Sequence, residues 1–172
     1  DVRLVGSEMC IRDSGYSDEM LDKKIIGITN TFSDYNPCHG NVPDLIKSVR
    51  TGILSNGAIP LEFPTITIHE SFANPTSMYL RNLMSIDTEE MLRAQPMDAC
   101  VLIGGCDKTV PAQIMGGLSA DIPIIQLVTG PMLTGSFRGE RVGACTDCRR
   151  FWASYRAAVS YTHLRAHETD IN

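Results

Sequence analysis

The stretch Val101-Leu102-Ile103-Gly104-Gly105-Cys106-Asp107-Lys108-Thr109-Val110-Pro111 decides how the rest of the chain is read. An apolar run beginning near Ala99 predicts a buried strand, and the two glycines let the backbone turn tightly behind it. The turn then delivers a thiol, a carboxylate and an amine in consecutive positions. Thr109 predicts a helix cap and Pro111 a first helical turn, so Cys106-Asp107-Lys108 is expected between the carboxyl end of a strand and the amino end of a helix. Open α/β sheets bind their ligands at that edge.

Working outward, the same arrangement recurs. A β-rich run at residues 25–29 leads into Asn36-Pro37-Cys38-His39-Gly40, and a strand expected over 61–68 leads into Thr67-Ile68-His69-Glu70-Ser71. Between them Val42, Leu45, Ile46, Val49, Ile53 and Leu54 recur at helical spacing, predicting a helix over 43–55 with Gly57 as its stop. A second helix is expected to begin at Asn74-Pro75, to break around 85–88 and to restart as far as Ala94. A helix over 111–118 and a strand over 122–128 follow, and Thr129 to Gly135 forms another strand-end loop. Residues 135–143 read as a polar surface excursion, and 146–158 as a helix capped by Thr146 or Asp147.

Four strands alternating with helices define an α/β protein: a mostly parallel sheet flanked by helices. Right-handed crossovers put successive strand-end loops on one edge. Cys38, Glu70, Cys106, Asp107 and Lys108 are therefore expected to converge.

At 172 residues, 43% hydrophobic and 20% charged, the chain has the size and composition of one globular domain with a real core. A formal net charge of -5 leaves no basic footprint for nucleic acid, and no apolar run approaches the ~20 residues needed to span a bilayer. The six cysteines lack the dense spacing of a secreted disulfide scaffold, which favours reduced thiols and a cytoplasmic protein. The two ends differ from the middle. Residues 1–14 and 160–172 resemble translated sequencing adapter and are set apart as non-native flanks, leaving 15–159 as the natural domain.

Two thiolates from separate loops suit a soft metal or an iron–sulfur cluster, whereas Glu70 and Asp107 suit a hard cation such as Mg²⁺. Lys108 beside them must stay a counter-ion, become a neutral base or be modified. The alternative is a small metal-binding or redox module built on Cys145-Thr146-Asp147-Cys148, although a Cys-x-x-Cys with no second pair is only half a zinc site. His39 and His69 stand next to candidate ligands, where a histidine more often hydrogen-bonds the loop backbone than carries protons. A nucleotide-binding domain finds no support, since neither a G-x-G-x-x-G nor a G-x-x-x-x-G-K-[ST] string is present.

From Lys24 to Ala157 the sequence resembles the dehydratase family that includes dihydroxy-acid, phosphogluconate and sugar-acid (pentonate) dehydratases. The resemblance rests on Asn36-Pro37-Cys38-His39, Gly104-Gly105-Cys106-Asp107-Lys108-Thr109 and Gly130-Pro131-Met132. Glu70-Ser71-Phe72-Ala73-Asn74-Pro75-Thr76 and Tyr79-Leu80-Arg81-Asn82-Leu83 are closer to the sugar-acid branch than to that of branched-chain amino-acid biosynthesis.

The resemblance implies that Cys38 and Cys106 ligate an iron–sulfur cluster, [2Fe–2S] or [4Fe–4S], that Glu70 and Asp107 ligate Mg²⁺, and that Lys108 can be carbamylated into an anionic ligand. The implied reaction removes water from a 2,3-dihydroxy carboxylic acid to give a 2-keto-3-deoxy acid. Mg²⁺ would hold the carboxylate and 2-hydroxyl, and an iron with an open position would act as Lewis acid on the departing 3-hydroxyl. By the same resemblance the third cluster cysteine, a further Mg²⁺ carboxylate, the serine base and a second, β-rich domain lie beyond this chain. The chain is then an amino-terminal piece of a homo-oligomeric enzyme, and no turnover is expected from it alone.

Overall fold

Strand β3 (Ala99–Gly104) sends Cys100 and Leu102 into one apolar layer and Val101 and Ile103 into the other, the alternation expected of a strand buried on both faces. The computed structural model describes residues 5–73 and 75–157. Within them β1 (Ile25–Asn30), β2 (Ile59–Pro64), β3 and β4 (Ile124–Val128) form a four-stranded, wholly parallel sheet in the order β2-β1-β3-β4. Helix α3 (Val42–Ser55) covers one face: Val42 and Ile46 pack with Ile28 and Ile103. Helices α4 (Arg81–Ala94) and α5 (Thr109–Ala120) cover the other, where Leu92 and Ala120 meet Phe63, Cys100 and Leu102. Leu102 and Ile103 are fully buried, each contributing about 1.5–3 kcal/mol by its removal from water.

Before the sheet, α1 (Val5–Asp13) and α2 (Asp18–Leu21) bring Ile11 and Leu21 against Ile25 and Ile59 at the amino ends of the strands. Most of the segment set apart at the amino terminus thus falls on α1, while 160–172 lie outside the described residues. After the sheet, β5 (Gly135–Phe137) and β6 (Glu140–Val142) form an antiparallel hairpin and lead into α6 (Ala144–Arg156).

Several boundaries differ from the sequence reading for identifiable reasons. Strand β2 starts at Ile59 and stops at Pro64; its two prolines are tolerated because it lies at the sheet edge, and residues 65–69 run on outside the ladder after a last bond from the Thr65 N–H to Asn30 O at 3.3 Å. Helix α4 is continuous through 85–88. The buried Thr88 hydroxyl donates to Met84 O at 2.8 Å within the helix and Asp87 accepts the Ile66 N–H at 2.8 Å, so of the polar residues that read as a break one is satisfied inside the helix and the other ties it to the segment after β2. Thr109 begins α5 rather than capping it, since Lys108 is the cap residue. In α6 the cap residue is Gly143, whose N–H donates to the Asp147 carboxylate at 2.6 Å. The polar excursion is the β5-β6 hairpin, turning on Arg138 (φ 51°) and Gly139 (φ 80°), the two left-handed positions that suit a two-residue hairpin.

The feature that positions the site is a parting of two neighbouring strands. The β1-β3 ladder pairs Ile26 with Ala99, Gly27 with Cys100 and Ile28 with Val101, and goes no further. Beyond it side chains take over. Thr29 Oγ1 accepts the Ile103 N–H at 2.7 Å, Thr31 Oγ1 donates to Ile103 O at 2.9 Å, and Gln113 Nε2 donates to the same carbonyl at 3.0 Å. Chain order also reverses at this point, because β2 lies outside β1 on one side and β3 and β4 on the other. A crevice at the carboxyl ends of such strands is the ligand-binding position of open α/β sheets.

Candidate functional site

Three loops meet in the crevice and are tied by their backbones. The loop after β1 carries Cys38 in a single turn of 3-10 helix (Pro37–His39), and the loop after β3 carries Gly105 to Lys108. The loop after β4 closes over both. Thr129 Oγ1 donates to Cys38 O at 2.8 Å, Asn41 Nδ2 donates to Thr129 O at 2.9 Å, and the Thr129 N–H donates to Gly104 O at 3.1 Å. Gly105 is needed here: a Cβ would run into Thr129 Oγ1 and come within 2.9 Å of Cys38 O.

His39 joins the first two loops from beneath. It is fully buried, with Nδ1 2.8 Å from Thr31 O and Nε2 2.9 Å from the Gly105 nitrogen. An amide N–H can only donate, so Nε2 is the bare nitrogen and Nδ1 carries the proton toward Thr31 O. Burial lowers the ring's pKa and the proximity of His69 adds to this, against the raising effect of the Thr31 carbonyl. Neutral His39 is a structural pin, as the sequence reading favoured. His69 is also buried and lowered; its Nδ1 accepts the Ser71 N–H at 3.3 Å, and Nε2 has no partner among the described residues.

Cys38 and Cys106 face one another. The Cys106 thiol is drawn down to about 7, first by a hydrogen bond with the Cys38 thiol and also by the Lys108 backbone N–H, against burial and the Asp107 carboxylate. Cys38 Sγ also lies 3.1 Å from Met132 Sδ. Cys100, by contrast, is buried in the core and raised to about 12 by that burial. Cys38, Gly105 to Lys108 and Gly130 to Met132 line an open cleft of about 270 Å³.

The oxygen donors lie alongside. Glu70 is buried, and Lys108 bridges it to Asp107, with Nζ 3.4 Å from Glu70 Oε2 and 2.9 Å from Asp107 Oδ2. Asp107 is open to solvent, its side chain 72% exposed. Burial pushes the Glu70 carboxyl up, but hydrogen bonds from Ser77 and Thr76, together with the Lys108 charge, outweigh it and hold the group at about 2. Burial likewise lowers Lys108, and the two carboxylates reverse this, so its net shift is upward and it stands as an ammonium.

All five residues singled out in the sequence therefore come to one edge, as two pairs: thiols from the loops after β1 and β3, and carboxylates astride Lys108. Among the described residues no three His, Cys, Asp or Glu side chains converge into a complete metal-binding set. The donor chemistry suits partial ligation in both cases, a thiol pair with an acidified Cys106 for a soft metal and a carboxylate pair for a hard one. The side chains of Cys145 and Cys148, in the first turns of α6, lie outside the described residues. Sequence reasoning missed Arg149, which reaches across from α6 to pair with Glu70. It also gave no role to Thr129 and Gln113, because nothing in a linear pattern distinguishes a residue that spans two parted strands or loops.

Fold and site define an α/β domain that gathers a thiol pair and a lysine-bridged carboxylate pair at the switch point of a parallel sheet. The model of the dihydroxy-acid/6-phosphogluconate dehydratase amino-terminal domain matches residues 23–170, and the chain belongs to that family. It is 45% identical over 142 residues to an L-arabinonate dehydratase of Rhizobium leguminosarum bv. trifolii, covering 82% of this chain and 24% of that protein. It is 47% identical over 134 residues to a D-xylonate dehydratase of Caulobacter vibrioides (78% and 22%) and 39% identical over 136 residues to a dihydroxy-acid dehydratase of Methanococcus vannielii (76% and 25%). The chain thus spans about a quarter of the length of these relatives, all of which are dehydratases, that is, hydro-lyases. Among the described residues no helix is long and apolar enough to cross a membrane.

Proposed function

We propose that the chain is the amino-terminal, metal-binding part of a hydro-lyase that dehydrates a 2,3-dihydroxy carboxylic acid to a 2-keto-3-deoxy acid. The substrate class is a sugar acid such as a pentonate, or a dihydroxy-acid of branched-chain amino-acid synthesis. The observation that carries the reading is the meeting of Cys38 and Cys106 beside Glu70, Lys108 and Asp107 in a member of a dehydratase family. The sugar-acid choice is supported by the arabinonate and xylonate dehydratases among the relatives.

In this reading Cys38 and Cys106 hold an iron–sulfur cluster, and Glu70 and Asp107 hold Mg²⁺, with Lys108 joining them as a carbamate. Metals held there would supply Lewis acidity toward the carboxylate and hydroxyl oxygens of the substrate. The chain's own residues hold the site in shape. His39 and Thr129 fix the separation of the cysteine loops, and Met132 covers Cys38. Ser77 and Thr76 keep Glu70 ionised at every working pH. Carbamylation of Lys108 requires its neutral amine, whereas the ammonium is the form that pairs with both carboxylates.

The test is a full-length natural protein carrying this domain, purified anaerobically, with iron and sulfide analysis and keto-acid formation from pentonates, hexonates and 2,3-dihydroxyisovalerate. Cluster-dependent turnover that disappears in Cys38→Ser and Cys106→Ser is the expected outcome. A protein without iron, or one whose metal follows Cys145 and Cys148, overturns the reading.

A further inference from the structure

Glu70 is already fully engaged by protein donors. A carboxylate offers about four lone-pair positions on its two oxygens. On Oε1 the Thr76 hydroxyl donates at 2.8 Å and the Arg149 guanidinium pairs directly; on Oε2 the Ser77 N–H donates at 2.9 Å and the Ser77 hydroxyl also donates. The Lys108 ammonium stands at 3.4 Å as a fifth neighbour. A divalent cation can take an oxygen of Glu70 only if one of these groups withdraws.

The donors differ sharply in what withdrawal costs. Ser77 is fully buried, and both its amide and its hydroxyl would be stranded without the carboxylate. The Thr76 hydroxyl sits at the start of the 3-10 turn Ser77–Leu80, where it also accepts the Met78 N–H. Lys108 is held on its other side by Asp107, and its side chain is 10% exposed. Arg149 alone is half in water, 47% exposed, on a helix tied to this region by the same guanidinium through a 3.1 Å bond to Pro75 O. A guanidinium in that position re-solvates at little cost.

We propose that Arg149 is a displaceable counter-ion of Glu70: its guanidinium occupies the approach to the Oε1 edge of the carboxylate and swings into solvent before a divalent cation binds. The proposal rests on the reading of Glu70 as a cation ligand. Arg149 is then a competitor of the metal, opposite in sign to a residue that supports Glu70. Its departure also frees α6 from the 70–77 loop, so cation binding at the sheet edge is coupled to the mobility of that helix.

The sign is measurable on a full-length natural protein carrying this domain, with Mn²⁺ as an electron-spin-resonance probe, titrated under anaerobic conditions. Arg149→Gln is expected to bind Mn²⁺ about three- to tenfold more tightly than the unsubstituted chain, the scale of a partly exposed charge pair, with Arg149→Lys between them. Glu70→Gln is expected to lose the binding. In the unsubstituted chain saturating Mg²⁺ should speed amide hydrogen exchange across α6, and in Arg149→Gln it should have no further effect. Unchanged or weaker Mn²⁺ binding by Arg149→Gln, while Glu70→Gln still loses it, overturns the proposal and makes Arg149 a support or a bystander. Binding that survives Glu70→Gln, or no binding by any variant, overturns the underlying reading of Glu70 instead. Urea midpoints within error of one another confirm that the variants share one fold.

Discussion

The backbone N–H of Gly105 donates to Nε2 of His39 at 2.9 Å, so the loop of one candidate ligand, Cys106, hangs on the residue next to the other, Cys38. Replacing His39 by Leu strands this half-buried N–H and the buried Thr31 carbonyl, the latter worth about 1–3 kcal/mol and the former less, so a loss of roughly 2–4 kcal/mol in urea unfolding is expected. His39→Gln restores an acceptor near the Nε2 position and should recover part of the loss. Equal losses in Leu and Gln variants would remove the pin from the account.

The same residue gives the domain a pH signature. Burial lowers His39 and His69 below their ordinary 6.5, so the unfolded chain binds more protons than the folded one once the pH drops below that value. Their contribution is complete above pH 6.5 and is lost as the pH falls from there through the lowered folded values. Glu70, ordinarily at 4.5 and held at about 2, adds a separate loss only below pH 4.5. Urea midpoints measured from pH 8 to 5 should decline, and His39→Gln should flatten the decline.

Gly105 and Gly40 sit in the two cysteine loops and should differ in their response to alanine. At Gly105 the added methyl meets Thr129 Oγ1 and Cys38 O, forcing the loops apart at a cost of about 1–3 kcal/mol. At Gly40 the nearest atom is Pro37 O at 3.5 Å, an ordinary contact, and the substitution should be close to neutral. Thermal melts of the two variants side by side decide the point.

Thiol chemistry separates the cysteines by environment. Cys106, near 7 and lining the cleft, should be alkylated by iodoacetamide at pH 7.5, while Cys100, near 12 and buried in the core, should stay unlabelled until the chain unfolds. Peptide mass spectrometry reads the order directly, and early labelling of Cys100 would contradict the packing of β3.

Gly116 is where α5 rests on α4. A Cβ there would come within 3.0 Å of Ser85 O, Thr88 Cβ and Glu89 N, atoms of the continuous α4 that have no freedom to yield. Gly116→Val should therefore destabilise the domain by about 1–3 kcal/mol in urea while leaving the thiol reactivity of Cys106 unchanged in the folded fraction.

The parts of this fold that could be read in the sequence are those governed by local periodicity. The alternation in β3, the 3.6-residue repeat of α3 and the left-handed Gly57 behind it all follow from near neighbours, and right-handed crossovers then bring Cys38, Glu70 and Cys106 to one edge. What escaped was set by partners far along the chain. Asp87 looks like a helix breaker until the Ile66 N–H is supplied. The same holds for Arg149, an unremarkable charge on a helix until the Glu70 carboxylate is placed beneath it. The short β5-β6 hairpin lacks β-branched runs, and its turn depends on Arg138 adopting a left-handed conformation that few sequence rules assign to arginine.

The parting of β1 from β3 also orders events during synthesis. Strand β1 and its Cys38 loop leave the ribosome with only β2 to pair against, on the side away from the crevice. The wall that completes the crevice arrives much later, when β3 slides in on the opposite side and Gln113 of α5 bonds Ile103 O across the gap. Until then Cys106, which Cys38 faces in the finished fold, has no fixed place. The thiol pair of Cys38 and Cys106 is therefore assembled late, timed by the docking of a strand rather than by the appearance of its first member.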